Sequence, residues 1–583
     1  MLTRPSIPAL IVLALLLALF LSLPFLVQST YGLKLATRLV IVALFVLSLD
    51  VLMGLAGLVS FGHAAFFGLG AYAVYFVTPV SSGANVFVAL GAGMALAGAG
   101  ALVIGAFAVL TRGFYFIMVT LAAGQMMFSL FHDTDIAKGS DGAYIDIKPA
   151  LSLFGRDLVD FENRRAFYYV CVALLVVVLV ALFAFARSRF GHLVQALRVN
   201  EARLSALGFN TYLIKLATFM LAGAISGLAG ALFACIDGYV TPDLFSWHQS
   251  GLAIMMVVLG GAGTLFGPIL GALAYVCLEE LLKTSSLVGP MIADHWRLGT
   301  GATLIVAVLL SPGGLAGFLG RPRPPRNDPE DAGEGFAETT TAPTSRLATS
   351  ALGRRFGGLL AVSDVTIAFE PGNVHAIIGP NGAGKTTFIN CLTGALRPTS
   401  GQRLLDGADI SALPAWRVAR RGIGRSFQRT NIFPALSVRE NCVLAAQASD
   451  PARAQTLATK ALRAAGLSTR ANTIASAMSN GEQRQLEIAM LIAGGSEILV
   501  LDEPLAGMGP EETARVVALL RALRENHTII LIEHDMDAVF AVADTLTVLV
   551  GGRLVAHGHP AQVRRDPTVI DAYLGRTDAE AAA

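Results

Sequence analysis

The sequence predicts a polytopic α-helical membrane domain followed by a soluble α/β domain of the P-loop class. Three observations carry this. The 583-residue chain has a mean hydropathy of +0.63, with 54% hydrophobic and 14% charged residues, against about 25% charged in a soluble domain. The charge is partitioned, with 30 charged residues among the first 320 and 54 among the remaining 263. In the second part, a short apolar run leads into Gly379-Pro380-Asn381-Gly382-Ala383-Gly384-Lys385-Thr386-Thr387, a glycine-rich loop ending in Lys-Thr-Thr.

The net charge of +2 gives no global basic field of the kind nucleic-acid binders use, so no nucleic-acid partner is expected. The five cysteines, Cys171, Cys235, Cys277, Cys391 and Cys442, contain no CxxC pair, which argues against a disulfide framework and a zinc site.

The membrane part, residues 1–320, opens with Ile7–Val27, an apolar run too long for a signal peptide's core and followed by no A-x-A cleavage pattern. Further apolar runs are Leu39–Leu55, Phe61–Val77, Val86–Leu110, Phe114–Phe131, Ala166–Ala186, Leu216–Cys235, Gly251–Gly260, Ile269–Leu282 and Gly299–Leu310. A full span needs about 20 residues, so about eight to ten crossings are expected, some of them broken or re-entrant. The Arg187–Lys215 loop carries five basic residues against Glu201 and is placed in the cytoplasm by its charge, as are Arg321, Arg323 and Arg326. The acidic 132–165 loop is placed outside, and Lys34 and Arg38 fall outside too, against the charge rule.

Gly-Leu-Ala-Gly recurs at 54–57, 227–230 and 314–317, as close helix packing in lipid requires. Asp50 is either a functional intramembrane acid or a paired or wetted helix end. His63 reads as structural, and Glu279 and Glu280 as the watery end of their run. Residues 321–344, rich in proline, acids and threonine, read as a disordered linker. The soluble domain is expected over 345–577, with a tail at 578–583.

The glycine-rich loop fits GxxxxGK[ST] between a strand, Val374–Ile378, and a helix beginning near Thr387. In that context the glycines let backbone N–H groups face phosphate oxygens. Lys385 reaches the β- and γ-phosphates, and the Thr386 hydroxyl can ligate Mg²⁺. Glu497–Glu503 is an apolar strand closing on two acids, with Asp502 placed to hold Mg²⁺ and Glu503 to polarise an attacking water. Ser479-Asn480-Gly481-Glu482-Gln483 then opens a helical pattern.

The order of these motifs resembles the ATP-binding cassette family along residues 345–577. By that resemblance Ser479, Gly481 and Gln483 lie in the signature and Gln428 in the Q-loop, where it joins Thr386 and Asp502 around Mg²⁺. His534 is the switch histidine and Phe356 the ring that stacks on adenine. Gly379, Asn381, Gly382, Gly384, Lys385, Thr386 and Thr387 form the ATP phosphate cradle. The catalytic set is Glu503, His534 and Gln428. The resemblance further implies two cassettes sandwiching two ATPs, so a second ABC ATPase subunit is expected. The sequence departs from the family pattern at Met478, Asn480 and Gly509, the last of which cannot make the side-chain contact of the usual Asp.

RFGGLLAV from Arg355, FQRTNIFPALSVREN from Phe427, GEQRQLEIA from Gly481, DEPLAG from Asp502 and the ending Asp571–Gly575 resemble the ATPase subunit of branched-chain amino-acid importers. GLAGLVSFGHAAFFGLGAY from Gly54, GFNTYLIK from Gly208, SGLAGALFA from Ser226 and VVLGGAGTLFGPILGAL from Val257 resemble the permease of the same family, where Asp50 replaces a usual Asn. The chain thus resembles a fused permease and ATPase. The resemblance implies a second permease subunit, a periplasmic substrate-binding protein, and residence in the lipid bilayer of a bacterial inner membrane with the ATPase domain cytoplasmic. Arg198–Gly208 resembles the short helix that docks on the cassette, and Thr430–Val438 is expected to receive it. Urea or short-chain amides are alternative solutes. A homodimeric exporter of hydrophobic compounds and a membrane-anchored regulatory ATPase are the competing classes.

Overall fold

The computed structural model describes residues 7–27, 29–79, 84–145, 147, 149, 151–153, 156–159, 163–284, 295–319 and 342–574. Most of the expected linker and the whole expected tail lie outside these residues. The chain forms two compact units, Met1–Arg198 with Thr211–Arg323, and Val199–Asn210 with Pro324–Ala583. Residues 199–210, which the sequence pattern leaves in a loop of the membrane domain, group with the second unit.

The first unit is built from apolar helices: α1 (Ile7–Leu26), α2 (Thr30–Asp50), α3 (Ala64–Val77), α4 (Val86–Ala108), α5 (Phe114–His132), α6 (Arg164–Arg187) and α7 (Arg189–Val199). After the α8 segment of the second unit (Glu201–Ala206) follow α9 (Thr211–Asp237), α10 (Trp247–Gly260), α11 (Gly267–Thr284) and α12 (Trp296–Leu310). Among the described residues six stretches are long and apolar enough to cross a membrane, and α3 and α10, at 14 residues each, are shorter. Short strands β1 (Ala143–Tyr144) and β4 (Tyr239–Val240) pair antiparallel, as do β2 (Leu151–Leu153) and β3 (Arg156–Val159).

Small residues set the packing. A Cβ on Gly70 of α3 would strike the Gly227 backbone of α9, and one on Gly227 would strike the Gly93 backbone of α4. Lipid supplies no hydrophobic drive between helices, so this backbone approach and its van der Waals contacts hold the three together. Beyond Asp50, α2 widens into a π-turn at Val51–Ala56 that ends on Gly57 at φ 74°. Asp50 is fully buried and its carboxylate accepts from the Gly263 and Leu265 N–H groups at 2.7 and 3.3 Å. Arg198 donates to the Gly54 carbonyl at the same place. Asp50 is therefore a paired helix end that fixes the loop between α10 and α11. His63, also buried, has its Nε2 2.8 Å from the Ser48 hydroxyl and serves as a structural residue.

The second unit carries two sheets. An antiparallel sheet of β5 (Leu347–Phe356), β6 (Leu359–Phe369), β8 (Ser400–Leu405) and β9 (Ala408–Asp409) has the order β6-β5-β8-β9. The main sheet holds β7 (Val374–Ile378), β10 (Ile423–Arg425), β11 (Ile498–Asp502), β12 (Thr528–Ile532), β13 (Thr545–Val550) and β14 (Arg553–Gly558), in the order β10-β11-β12-β7-β13-β14. All its pairings are parallel except β13–β14. Buried parallel strands read as continuous apolar runs, and their side chains still alternate between faces. Val500, Ile530 and Ile532 pack with α13 (Lys385–Leu392), whereas Leu499, Leu501, Ile529 and Leu531 pack on the opposite face.

The remaining helices are α14 (Ala415–Ala419), α15 (Val438–Ala446), α16 (Ala454–Ala464), α17 (Asn480–Ala493), α18 (Pro510–Leu523), α19 (Met536–Val542), α20 (Pro560–Val563) and α21 (Pro567–Leu574). α17 and α18 cover that opposite face.

Gly227→Leu is expected to abolish monodisperse protein on size-exclusion chromatography after detergent extraction. Gly91→Leu, where a Cβ meets nothing within 4 Å, is expected to elute like the parent.

Candidate functional site

Four adjacent parallel strands, β10, β11, β12 and β7, deliver their C-terminal ends to one edge of the sheet. That edge of a parallel α/β sheet is where ligands bind. β7 leads into the glycine-rich loop, β11 into Asp502–Glu503, β12 into Glu533–His534 and β10 into Gln428. The topology thus brings the expected catalytic residues together across more than 100 residues of sequence.

The loop after β7 needs its glycines. Gly382 and Gly384 have φ of 82° and 92°, and a Cβ on Gly384 would strike the Ala361 carbonyl. Lys385 Nζ donates to the Gly379 and Pro380 carbonyls at 2.5 and 3.1 Å, folded over its own loop. Burial pushes this ammonium below its ordinary value, while the Glu503 and Asp502 carboxylates pull it back up. Asn381 and Thr386 are exposed and Thr387 is half-buried, in the loop and first turn of α13.

Asp502 is buried, and burial raises its carboxyl above the usual range against the pull of Arg425, whose guanidinium lies 3.8 Å away. Arg425 in turn donates to Asn390 and to the Thr393 hydroxyl, tying β10 to α13. Glu503 holds a left-handed backbone at φ 49°, a conformation stored at functional positions. Its carboxylate meets both other expected catalytic groups. Gln428 Nε2 donates to Oε2 at 3.0 Å, and His534 Nε2 lies 2.7 Å from Oε1.

Thr386, Gln428 and Asp502 offer a hydroxyl, an amide and a carboxylate, hard donors that suit Mg²⁺ held jointly with phosphate oxygens. Gln428 commits its amide N–H to Glu503 in this conformation. No cluster of three or more His, Cys, Asp or Glu that could hold a metal ion occurs among the described residues.

The signature residues stand apart from this cluster. Ser479 caps α17 in a capping box with Glu482, and its hydroxyl donates to Glu512 of α18 at 2.9 Å. Gly481 is buried, where a Cβ would meet the Glu512 carboxyl. Gln483 turns inward and donates to the Met478 carbonyl at 3.1 Å. Gly509 is the N-cap of α18, and a Cβ added there would meet nothing within 4 Å. Phe356, 42% exposed at the β5–β6 hairpin with Arg354 4.7 Å from its ring centre, is a free aromatic surface and not a core residue.

Sequence reasoning missed the residues that hold this constellation. Glu533 accepts from the Leu505 and His534 N–H groups at 2.7 and 3.2 Å and so fixes the segment after Glu503. Arg484 of α17 donates to the carbonyls of Phe427, Gln428 and Glu503. Arg484 is anchored by Glu487, 2.8 Å away, which also accepts from the Phe427 N–H. The third member is Arg203 of α8, wholly buried, 3.5 Å from Glu487 and donating to the Arg425 carbonyl at 3.0 Å. Burial pushes the Arg203 guanidinium below its ordinary value, and Glu487 opposes that. The acid–base spacing of Arg484 and Glu487, three residues apart on a helix, was the available signal, but it is equally common on solvated faces.

Around Arg203, Asn200 donates to Asn431 at 2.6 Å and Arg420 donates to the Gly208 carbonyl at 2.8 Å. The expected receiving segment, Thr430–Val438, thus contributes Asn431, while α14, β10 and α17 supply the rest.

Comparison with known proteins gives three matches along the chain. Residues 31–308 match the family described as branched-chain amino acid transport system / permease component, residues 362–506 match ABC transporter, and residues 553–579 match branched-chain amino acid ATP-binding cassette transporter. The high-affinity branched-chain amino acid transport ATP-binding protein BraF of Pseudomonas aeruginosa is 42% identical over 248 residues, 39% of this chain and 97% of that protein. The high-affinity branched-chain amino acid transport ATP-binding protein LivG of Escherichia coli K12 is 42% identical over 252 residues, with the same coverage of each chain. The lipopolysaccharide export system ATP-binding protein LptB of Escherichia coli K12 is 32% identical over 228 residues, 38% of this chain and 95% of that protein.

Glu487→Gln leaves two buried guanidiniums without their anion. It is expected to destabilise the second unit by about 3–5 kcal/mol, read as a lowered midpoint of denaturant unfolding. Arg515→Gln, at an exposed position of α18, is expected to change it by no more than about 0.5 kcal/mol.

Proposed function

The chain belongs to the branched-chain amino-acid ABC transport family as a permease and an ATP-binding cassette in one polypeptide, and on that premise we propose a mechanism for its coupling of ATP hydrolysis to amino-acid uptake. The observation that supports the mechanism is the unbroken run of contacts from Arg203 through Glu487 and Arg484 to Gln428 and Glu503. Regulation of hydrolysis by α8 needs such a path, because its end residue is the one placed to activate water.

In this mechanism Lys385 leaves its own loop carbonyls for the β- and γ-phosphates of ATP, and the loop N–H groups take the remaining oxygens. Phe356 stacks on adenine. Thr386, Asp502 and Gln428 would hold Mg²⁺, which would supply neutralisation of the charge on the phosphates. Glu503 accepts the proton of the water that attacks the γ-phosphorus as the bond to ADP breaks. His534 orients that carboxylate and supports charge on the γ-phosphate. Gln428 reports on α8 by making or breaking its bond to Glu503. Ser479 and Gly481 face the ATP of a second cassette, for which the Ser479 hydroxyl exchanges Glu512 for phosphate.

The complete importer contains a second permease, a second cassette and a periplasmic binding protein, in a bacterial inner membrane with the cassette in the cytoplasm. The names of BraF and LivG and the permease match over residues 31–308 support branched-chain amino acids as cargo. The cassette alone is an insufficient guide to direction, since LptB, named for export, is 32% identical.

The direct test is mass spectrometry of the complex purified through a tag on this chain, followed by leucine uptake in vesicles. A different permease, a second ATPase and ATP-dependent leucine uptake are expected. A homodimer whose ATPase responds to hydrophobic compounds without a binding protein would replace the importer with an exporter. Glu503→Gln is expected to lower ATP turnover by a factor of about 10²–10⁴ while ATP binding persists, measured with a fluorescent nucleotide. Arg203→Met is expected to lower leucine carried per ATP hydrolysed while Lys385-dependent ATP binding is retained.

A further inference from the structure

The Phe356 ring sits where the backbone restrains it least. Phe356 ends β5, and Gly357 and Gly358 turn the chain into β6, where Leu359 pairs with it. Gly357 takes a φ of 56°, and a Cβ on either glycine would meet nothing within 4 Å. The tip of this hairpin therefore stands clear of the rest of the unit, and glycine is the residue that holds a turn least rigidly. A ring at such a tip binds a flat base weakly unless a second contact fixes its plane, because ordering it on binding costs affinity.

Arg354, two residues earlier on the same strand, supplies that contact. Its guanidinium carbon lies 4.7 Å from the ring centre, over one face. Among the described residues Arg354 has no ion pair, and its guanidinium donates to the Arg397 carbonyl at 2.8 Å. Its Nε–H is buried and meets no acceptor. A buried donor without an acceptor is costly, and the negative face of an aromatic ring offsets part of that cost for a cation. Arg397 lies in the loop that follows α13. The same loop holds β5 at two further points: the Thr399 hydroxyl accepts from the Arg355 N–H at 3.1 Å, and the Thr399 N–H donates to the Gly353 carbonyl at 2.8 Å. α13 begins at Lys385 and is eight residues long, about 12 Å at 1.5 Å per residue. One end of this helix carries the phosphate-binding lysine, and the loop beyond the other end carries the anchor of the aromatic ring.

We propose that Arg354 is a positioning residue for the nucleobase. It backs one face of Phe356 and leaves the other for the base. Arg397 and Thr399 tie the pair to the far end of α13, so the spacing between base and triphosphate is set before ATP arrives. The guanidinium also draws on the π-electrons of the ring, which favours an electron-rich purine on the opposite face. The inference rests on Phe356 as the adenine platform and adds to that reading the residue that orients it. Arg354 acts through Phe356 and not on the base itself.

The test measures binding to the full chain in its complex, held in lipid nanodiscs. Radiolabelled ATP is read directly, and tripolyphosphate, which has the phosphates without the base, is read by its displacement of ATP. Arg354→Met keeps the apolar stem and removes the cation. It is expected to raise the dissociation constant of ATP about two- to fivefold and to leave that of tripolyphosphate unchanged. Arg354→Lys is expected to recover part of the loss, since it keeps the charge without the planar fork. In a Phe356→Leu background Arg354→Met is expected to have no further effect, because the two residues act as one unit. An equal rise for tripolyphosphate, an undiminished Arg354→Met effect in the Phe356→Leu background, or unchanged ATP binding by Arg354→Met overturns the proposal. The platform reading fails separately, if Phe356→Leu by itself leaves ATP binding unchanged.

Discussion

One fully buried carboxylate, Glu487, organises the second unit. It sits between two guanidiniums, Arg203 and Arg484, both almost wholly removed from water. Removing ions from water is costly, and mutual attraction offsets the cost only where the remaining hydrogen-bonding groups are also satisfied. Here five backbone carbonyls supply most of that compensation, at Arg425, Phe427, Gln428, Glu487 and Glu503. The cost of burial is thereby converted into position. The carbonyls belong to β10, the segment around Gln428, α17 and the residue after β11, so none can shift without disturbing the charges. Packing by apolar contacts alone would tolerate small slides; a cluster of fixed charges and directed carbonyls does not.

Much of this architecture was legible in the sequence, for definite reasons. Gly382 and Gly384 require backbone conformations that few other residues adopt, and Lys385 follows at fixed spacing, so the phosphate loop announces itself. Apolar runs before Asp502 and His534 mark buried parallel strands. The Arg203–Glu487–Arg484 cluster was illegible because its partners lie 284 residues apart, and each residue alone resembles an ordinary surface charge. Asp50 could be read two ways until the Gly263 and Leu265 amides were seen to converge on it.

The two units use opposite devices to hold their elements in place. In the first, lipid leaves little hydrophobic drive, and glycines such as Gly70 and Gly227 permit backbone approach. In the second, water drives apolar burial on both faces of the sheet, and polar groups are left for function. This explains why Glu503 can adopt a strained backbone while its neighbours on β11 and β12 are fully buried and regular: the sheet supplies the stability that the site gives up.

The assignment of residues 199–210 to the second unit has a consequence for biosynthesis. Arg203 leaves the ribosome 222 residues before the Arg425 carbonyl that receives it and 284 before Glu487. At about 5–20 residues per second, α8 waits roughly 10–60 seconds for its binding surface. During that interval its arginine is hydrated, which costs nothing and discourages aggregation. Folding of this chain thus includes the capture of an early segment by a late domain. Because both belong to one polypeptide, a nascent cassette meets its own α8 at the high local concentration of an intramolecular reaction, ahead of competition from other chains.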